Sequence, residues 1–183
     1  MAEIDQIGGV KNLAVDRMTN DIVVLDHEHH EIHEGDHFTV TAYNADLDDT
    51  ITMKYLLTTP AAPKQIHWVA YISATAKTLV QFYEDTTRTS TDTAITSYNN
   101  NRASTDTAEL MIQTQSTTDG ADGTLIDSSS FGSALGANIT GGSDRNTREW
   151  LLDFSSYYFF KVTSGADNNN VSLRFEWYEH EAK

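Results

Sequence analysis

The amino-acid sequence predicts an all-β domain folded as a two-sheet β-sandwich, and three observations support that fold class. Aromatic residues make up 10% of the chain and threonine is abundant, and both residue types favour strands. Proline occurs only twice, and apolar and polar residues alternate with period two along most of the chain. About nine or ten such strands without a fixed repeat fit a jelly-roll-like sandwich better than a propeller or a β-helix.

The individual strands are predicted from short alternating or fully apolar runs. The first apolar run covers residues 22–25. The others are expected at residues 38–43, 51–58, 66–72, 79–84, 108–112, 149–153, 156–164 and 171–179. Pro60 and Pro63 separate the third predicted strand from the fourth, because proline cannot donate a hydrogen bond to a β-ladder.

Two segments do not follow the strand pattern. Residues 1–20 lack sustained alternation and are predicted to form an N-terminal arm, so that residues 21–183 make up the sandwich domain. Residues 115–147 are rich in Ser, Thr, Gly and Asp and are predicted to form one long loop. A connection of that length in a compact domain usually carries function, moves, or is covered by another subunit.

The charge and composition exclude several function classes. The formal net charge is −15 and the basic residues are scattered along the sequence, which disfavours duplex nucleic acid and anionic membranes as partners. The chain has no cysteine, which excludes disulfides, thiolate catalysis and cysteine-ligated metals. Acidic residues stand near the start, where a signal peptide carries cations, so we expect synthesis in the cytoplasm without a secretory leader.

The segment from His27 to His37 holds five of the seven histidines. Read as a strand, it places His27, His29 and His33 on one side, where they are the candidate metal ligands. One straight strand supplies only two ligands to an ion, so we expect no resident metal and no other cofactor. The alternative expectation is a subunit contact whose side chains satisfy one another through hydrogen bonds, formed by His29, His30, Glu31, His33 and His37.

The same segment contains the literal metalloprotease pattern His-Glu-x-x-His, from His33 to His37. That pattern binds zinc only on a helix, where residues four apart share a face. Gly35 and Asp36 disfavour a helix interior, and strand-like alternation resumes at Phe38. A zinc protease is therefore not expected.

Two other function classes remain open as alternatives. A cupin-like metal-dependent enzyme would use His27, His29 and Glu34, which approximate the cupin pattern of His-x-His with a following Glu. The flanking glycines of that pattern are absent, since Asp21 and Thr41 stand in their positions. A glycan-binding adhesin module would use the predicted 115–147 loop and a platform of surface tyrosines, for which the candidates are Tyr55, Tyr71, Tyr83, Tyr98 and Tyr178.

Several motifs together resemble a known group of proteins. They are the run from Glu28 to Phe38, a strand leading to Thr58-Thr59-Pro60, the triplet Arg148-Glu149-Trp150, and the terminal run from Phe175 to Glu179. Over residues 22–180 the chain resembles small virion structural proteins encoded among the head genes of tailed bacteriophages.

This resemblance implies a non-enzymatic capsid decoration or cement protein with no catalytic residues. Such a protein binds the outer surface of the phage head and bridges capsomers. The implied partner is the major capsid protein, the implied assembly is a homotrimer, and the implied location is the capsid surface of the virion after synthesis in the host cytoplasm.

Overall fold

The structure is a computed structural model that describes residues 27–90, 92–116, 119–132, 139–141 and 149–181. The predicted arm, residues 1–20, and the first predicted strand, residues 22–25, lie outside the described residues. Helix α1 has eight residues, and no helix in the described part of the chain has the length and apolar character needed to cross a bilayer.

The described residues form one helix and eleven strands. Helix α1 spans His27–Glu34. The strands are β1 His37–Leu47, β2 Thr52–Thr58, β3 Lys64–Ala74, β4 Thr78–Glu84, β5 Tyr98–Asn99, β6 Met111–Thr114, β7 Thr124–Phe131, β8 Ile139–Gly141, β9 Trp150–Leu152, β10 Tyr157–Ser164 and β11 Asn169–Glu181. The prolines fall between β2 and β3, as the sequence predicts.

The strands form two antiparallel sheets. Sheet 1 has the order β5-β1-β11-β3-β8, and β9 also pairs with β3. Sheet 2 has the order β6-β2-β10-β4-β7. The prediction of an all-β, two-sheet sandwich is confirmed.

The pairing between strands is nested. Strand β1 pairs with β11, β2 with β10, β3 with β8 and β9, and β4 with β7. The first half of the chain therefore lies against the second half as one long folded hairpin, and successive strands β1 to β4 alternate between the two sheets. This arrangement brings residues that are far apart in sequence into direct register.

The core between the sheets is rich in aromatic rings. The ring centroids of Trp68 and Phe82 lie 4.7 Å apart, and those of Phe160 and Phe175 lie 5.1 Å apart with nearly perpendicular planes. Such stacked and edge-to-face pairs stabilise a core beyond the area that they bury. Along β11 the buried and exposed side chains alternate as predicted up to Arg174, and then both faces of the strand are buried from residue 175 to 179.

The connection between β4 and β7 covers one side of the sandwich. Within it, β5 pairs with β1 and β6 pairs with β2, so the same connection extends both sheets beyond β1 and β2. Short added strands of this kind protect edges that would otherwise pair with other chains. The strand predicted at residues 108–112 is observed as β6, shifted toward the C-terminus.

The segment predicted as one long loop, residues 115–147, contains two strands instead. Strand β7 pairs with β4 at seven positions, and β8 pairs with β3. The serine-rich composition of β7 is typical of a loop, but an edge strand is held by backbone hydrogen bonds that serine provides as well as any residue. The prediction of a continuous loop is therefore wrong for these two stretches.

Candidate functional site

The histidine-rich segment is a helix followed by a strand, so the prediction of a continuous strand is wrong. Helix α1 ends where the backbone N–H of Gly35 and that of Asp36 donate to the carbonyl of Glu31, at 3.1 and 3.0 Å. Gly35 adopts a φ of +91°, a conformation that glycine reaches without strain. Strand β1 then begins at His37.

The helix separates the histidines into two groups. His29 and His33 lie one turn apart with their Nε2 atoms 3.0 Å from each other, and both side chains are exposed. His30 is also exposed and lies within 4 Å of Glu31 and Glu34. Two exposed imidazoles cannot close a metal site, and nothing brings a third described ligand to this pair.

The position of helix α1 does not give the histidine geometry that either motif-based enzyme hypothesis requires. The cupin pattern requires His-x-His on a strand, whereas His27 and His29 lie on α1. The metalloprotease pattern requires one helix through both histidines, whereas α1 ends before His37. Neither arrangement is formed.

His37 belongs to a buried polar cluster on the outer face of sheet 1. Its side chain is fully buried, and its Nε2 atom lies 3.2 Å from the Oε1 atom of Glu28 on α1. The side-chain amide of Asn100 lies 2.7 Å from its Nδ1 atom. Glu176 on β11 is the third acid–base group, and one ligand atom from each of Glu28, His37 and Glu176 lies within 4.8 Å of the other two.

A second cluster continues across the same face. Tyr178 is in register with His37 on one side and with His67 on the other. The Nδ1 atom of His67 lies 2.9 Å from the Tyr178 hydroxyl and 3.0 Å from the Glu149 carboxylate, and the His180 ring packs on His67 at 4.6 Å. The outer face of sheet 1 therefore carries a row of histidines and acids beside helix α1.

Glu179 points the other way, into the end of the core. Its carboxylate accepts hydrogen bonds from the backbone N–H groups of Glu109 and Leu110 and from Trp177 Nε1, at 2.9 to 3.0 Å. Burial raises the pKa of this carboxyl above its ordinary value, despite these donors. The side chain therefore anchors the β4–β7 connection to the sandwich.

An open cleft of about 380 Å³ lies beside this anchor. Its walls include the carboxylates of Glu34, Asp36, Asp106 and Glu109, with Lys64 3.6 Å from Asp36. A concave surface with this charge favours cations and repels anionic ligands.

Sheet 2 carries the opposite charge on its outer face. Lys54 on β2 is directly opposite Lys161 on β10. The Arg88 guanidinium lies over the Phe159 ring at 5.0 Å, and Asp122 forms ion pairs with both Arg88 and Lys161. Partial burial opposes ionisation of Asp122, but its hydrogen bonds to Lys161 and Arg88 hold its pKa below the ordinary value. We call Lys54, Arg88 and Lys161 the basic patch.

Sequence reasoning missed the residues that complete these clusters. Glu176, Asn100 and the pairing of Lys54 with Lys161 depend on strand register between distant parts of the chain, which no local pattern shows. The tyrosine platform proposed for glycans is not formed, because three of its members are buried: Tyr55, Tyr83 and Tyr178.

Comparisons with protein-family models, with curated proteins and with solved structures give no match. Function is therefore inferred from the strand order and the surface chemistry of this chain. Fold alone does not define function, so the surface has to supply the specific contacts.

Proposed function

We propose that the chain is a non-enzymatic virion protein of a tailed bacteriophage, a capsid decoration or cement protein that binds the outer head surface and bridges capsomers. The observation that supports this most is the nested pairing of β1 to β4 with β11 to β7. From it we infer a jelly roll, which is the fold of many viral capsid domains. The sequence resemblance to phage head proteins is a second, separate support for the same function.

The basic patch is the proposed contact with the major capsid protein. Like charges directly opposite each other on neighbouring strands reduce stability, and Asp122 offsets only part of the charge of the patch. The chain has 12 basic and 27 acidic residues, so three cations on one face are a local exception to a strongly negative surface. A complementary acidic segment of the capsid protein would bind here with the correct orientation.

Co-sedimentation with capsids tests this proposal. Phage heads assembled from the proposed partner, a major capsid protein, should carry the wild-type protein through a sucrose gradient. The Lys54→Glu variant should lose at least about tenfold in affinity, because it places a carboxylate in the proposed contact. The matched control is Lys77→Glu, the same charge change at an exposed turn position outside the patch. Failure of the wild-type protein to sediment with heads would contradict the proposed function, and equal losses in both variants would contradict the proposed contact.

We also expect a homotrimer, which matches threefold positions of an icosahedral lattice. Strand β7 is an edge of sheet 2, and no described strand pairs with its other side. Association between copies would cover such an edge. Light scattering coupled to size exclusion should give three times the chain mass of 20.4 kDa. A mass of one chain that does not change with concentration would contradict a preformed trimer.

A further inference from the structure

We propose that Glu28, His37 and Glu176 bind one divalent transition-metal ion, for which Zn²⁺ is the reference ion. The three ligands come from α1, β1 and β11, and one potential ligand atom of each lies within 4.8 Å of the others. In a tetrahedral zinc site with bond lengths of about 2.0 to 2.1 Å, neighbouring ligand atoms lie about 3.3 Å apart. The observed separation of 3.2 Å between Glu28 Oε1 and His37 Nε2 already has this value.

The donor set selects the class of ion. One imidazole nitrogen and two carboxylate oxygens suit Zn²⁺ or Mn²⁺, whereas Ca²⁺ and Mg²⁺ prefer oxygen alone. Three protein ligands also leave a fourth position for water.

Electrostatics favour a cation at the same point. His37 is fully buried and Glu176 is 8% exposed, while the Glu28 side chain is 31% exposed, so the two carboxylates approach each other at the edge of a buried cluster. The Nε atom of Arg174 lies 2.7 Å from the Glu176 Oε1 atom and compensates one negative charge. A dication between the two carboxylates would be attracted to both.

Asn100 provides the outer contact that a metal-binding histidine needs. In the observed amide orientation its Nδ2 group donates to His37 Nδ1, and the Nε2 atom of the ring faces Glu28. Rotation of the Asn100 amide by half a turn would present Oδ1 to Nδ1–H, and the lone pair of Nε2 would then face the ion.

The ion would fasten helix α1 to sheet 1. An isolated helix of eight residues is unstable in water, so α1 depends on contacts with the rest of the protein. An ion shared by Glu28 on the helix and by His37 and Glu176 on the sheet supplies such a contact. This role is independent of capsid binding.

The test uses the full chain with His29→Gln and His33→Gln together, which removes the exposed histidine pair as a competing zinc ligand. After chelation, calorimetric titration with Zn²⁺ should show one ion per chain, and Co²⁺ should give a visible absorption band. Addition of Glu28→Gln should weaken binding at least about tenfold. Glu34→Gln, the same change on the exposed side of the same helix, is the matched control and should leave binding unchanged.

Circular dichroism and thermal unfolding without metal establish that each variant is folded. Glu28 is partly exposed, so its change to glutamine should not unfold the domain. Zn²⁺ should raise the melting temperature of the background protein but not that of its Glu28→Gln derivative. Absence of zinc binding to the background protein would overturn the proposal, and so would equal weakening by Glu28→Gln and Glu34→Gln.

Discussion

Replacement of Glu179 by alanine is expected to lower the free energy of unfolding by about 3 kcal/mol, because buried donors without an acceptor each cost on the order of 1 kcal/mol or more. The carboxylate is 1% exposed and accepts from three N–H groups, those of Glu109, Leu110 and the Trp177 indole. Urea unfolding followed by tryptophan fluorescence measures the change.

Two variants make the result specific. Glu179→Gln keeps one side-chain oxygen as an acceptor and should lose less stability than Glu179→Ala. Glu181→Ala removes an exposed carboxylate two residues further along the same strand and should change stability by less than about 0.5 kcal/mol. Similar losses of stability in Glu179→Ala and Glu181→Ala would show that the hydrogen bonds of Glu179 contribute nothing to the free energy of unfolding.

The pH dependence of the same variants gives a second measure of this anchor. Burial raises the pKa of Glu179 in the folded protein, so over the window above the ordinary carboxyl pKa the folded state holds a proton that the unfolded chain has released. The contribution of Glu179 to stability therefore falls as the pH rises through this window. The stability of Glu179→Gln should not show this decline, so the decline should appear in the difference between the wild-type and Glu179→Gln curves.

The strands that lie in the centre of each sheet were predictable from the sequence, and the reason is burial. Strand β10 and strand β11 have apolar side chains at every second position facing the core, which imposes the period-two pattern. Strands β5, β7 and β8 were not predicted. They lie at sheet edges, where backbone pairing rather than side-chain burial holds the strand, so composition says little about them.

The histidine-rich segment shows where a local pattern is ambiguous. His29 and His33 are two steps of period two apart and also one helical turn apart, so alternation and helical spacing fit the same residues. Glycine at position 35 ends the helix and permits the turn into β1. The pattern therefore changes from helical spacing to strand alternation within the motif. Neither a single strand nor a single helix reproduces it.

The candidate sites were harder to predict than the fold. Lys54 meets Lys161, and Glu176 meets His37, only because the nested pairing brings both ends of the chain together. The prediction of no resident metal considered ligands along one strand only. Strand register adds Glu176 from the last strand of the chain, which no pattern within residues 27–37 shows.

Replacement of Phe160 by alanine is expected to be strongly destabilising. The ring is 3% exposed and packs edge-to-face on Trp68 and Phe175, at 5.5 and 5.1 Å between centroids. Because both sheets contribute to this contact, truncation leaves a cavity that neither sheet can close by itself. Phenylalanine-to-alanine changes in such positions cost about 3 to 5 kcal/mol.

One control is a smaller change at the same position, and the other lies at the start of the same strand. Phe160→Leu fills most of the space and should cost less than about 1.5 kcal/mol. Tyr157→Ala removes a larger ring from the start of the same strand, but that ring is 51% exposed, so the change should be small. In urea, Phe160→Ala should shift the unfolding midpoint with little change in slope. A loss no greater than that of Tyr157→Ala would mean that the two sheets do not pack through Phe160, and the sandwich core would then have to be assigned to other contacts.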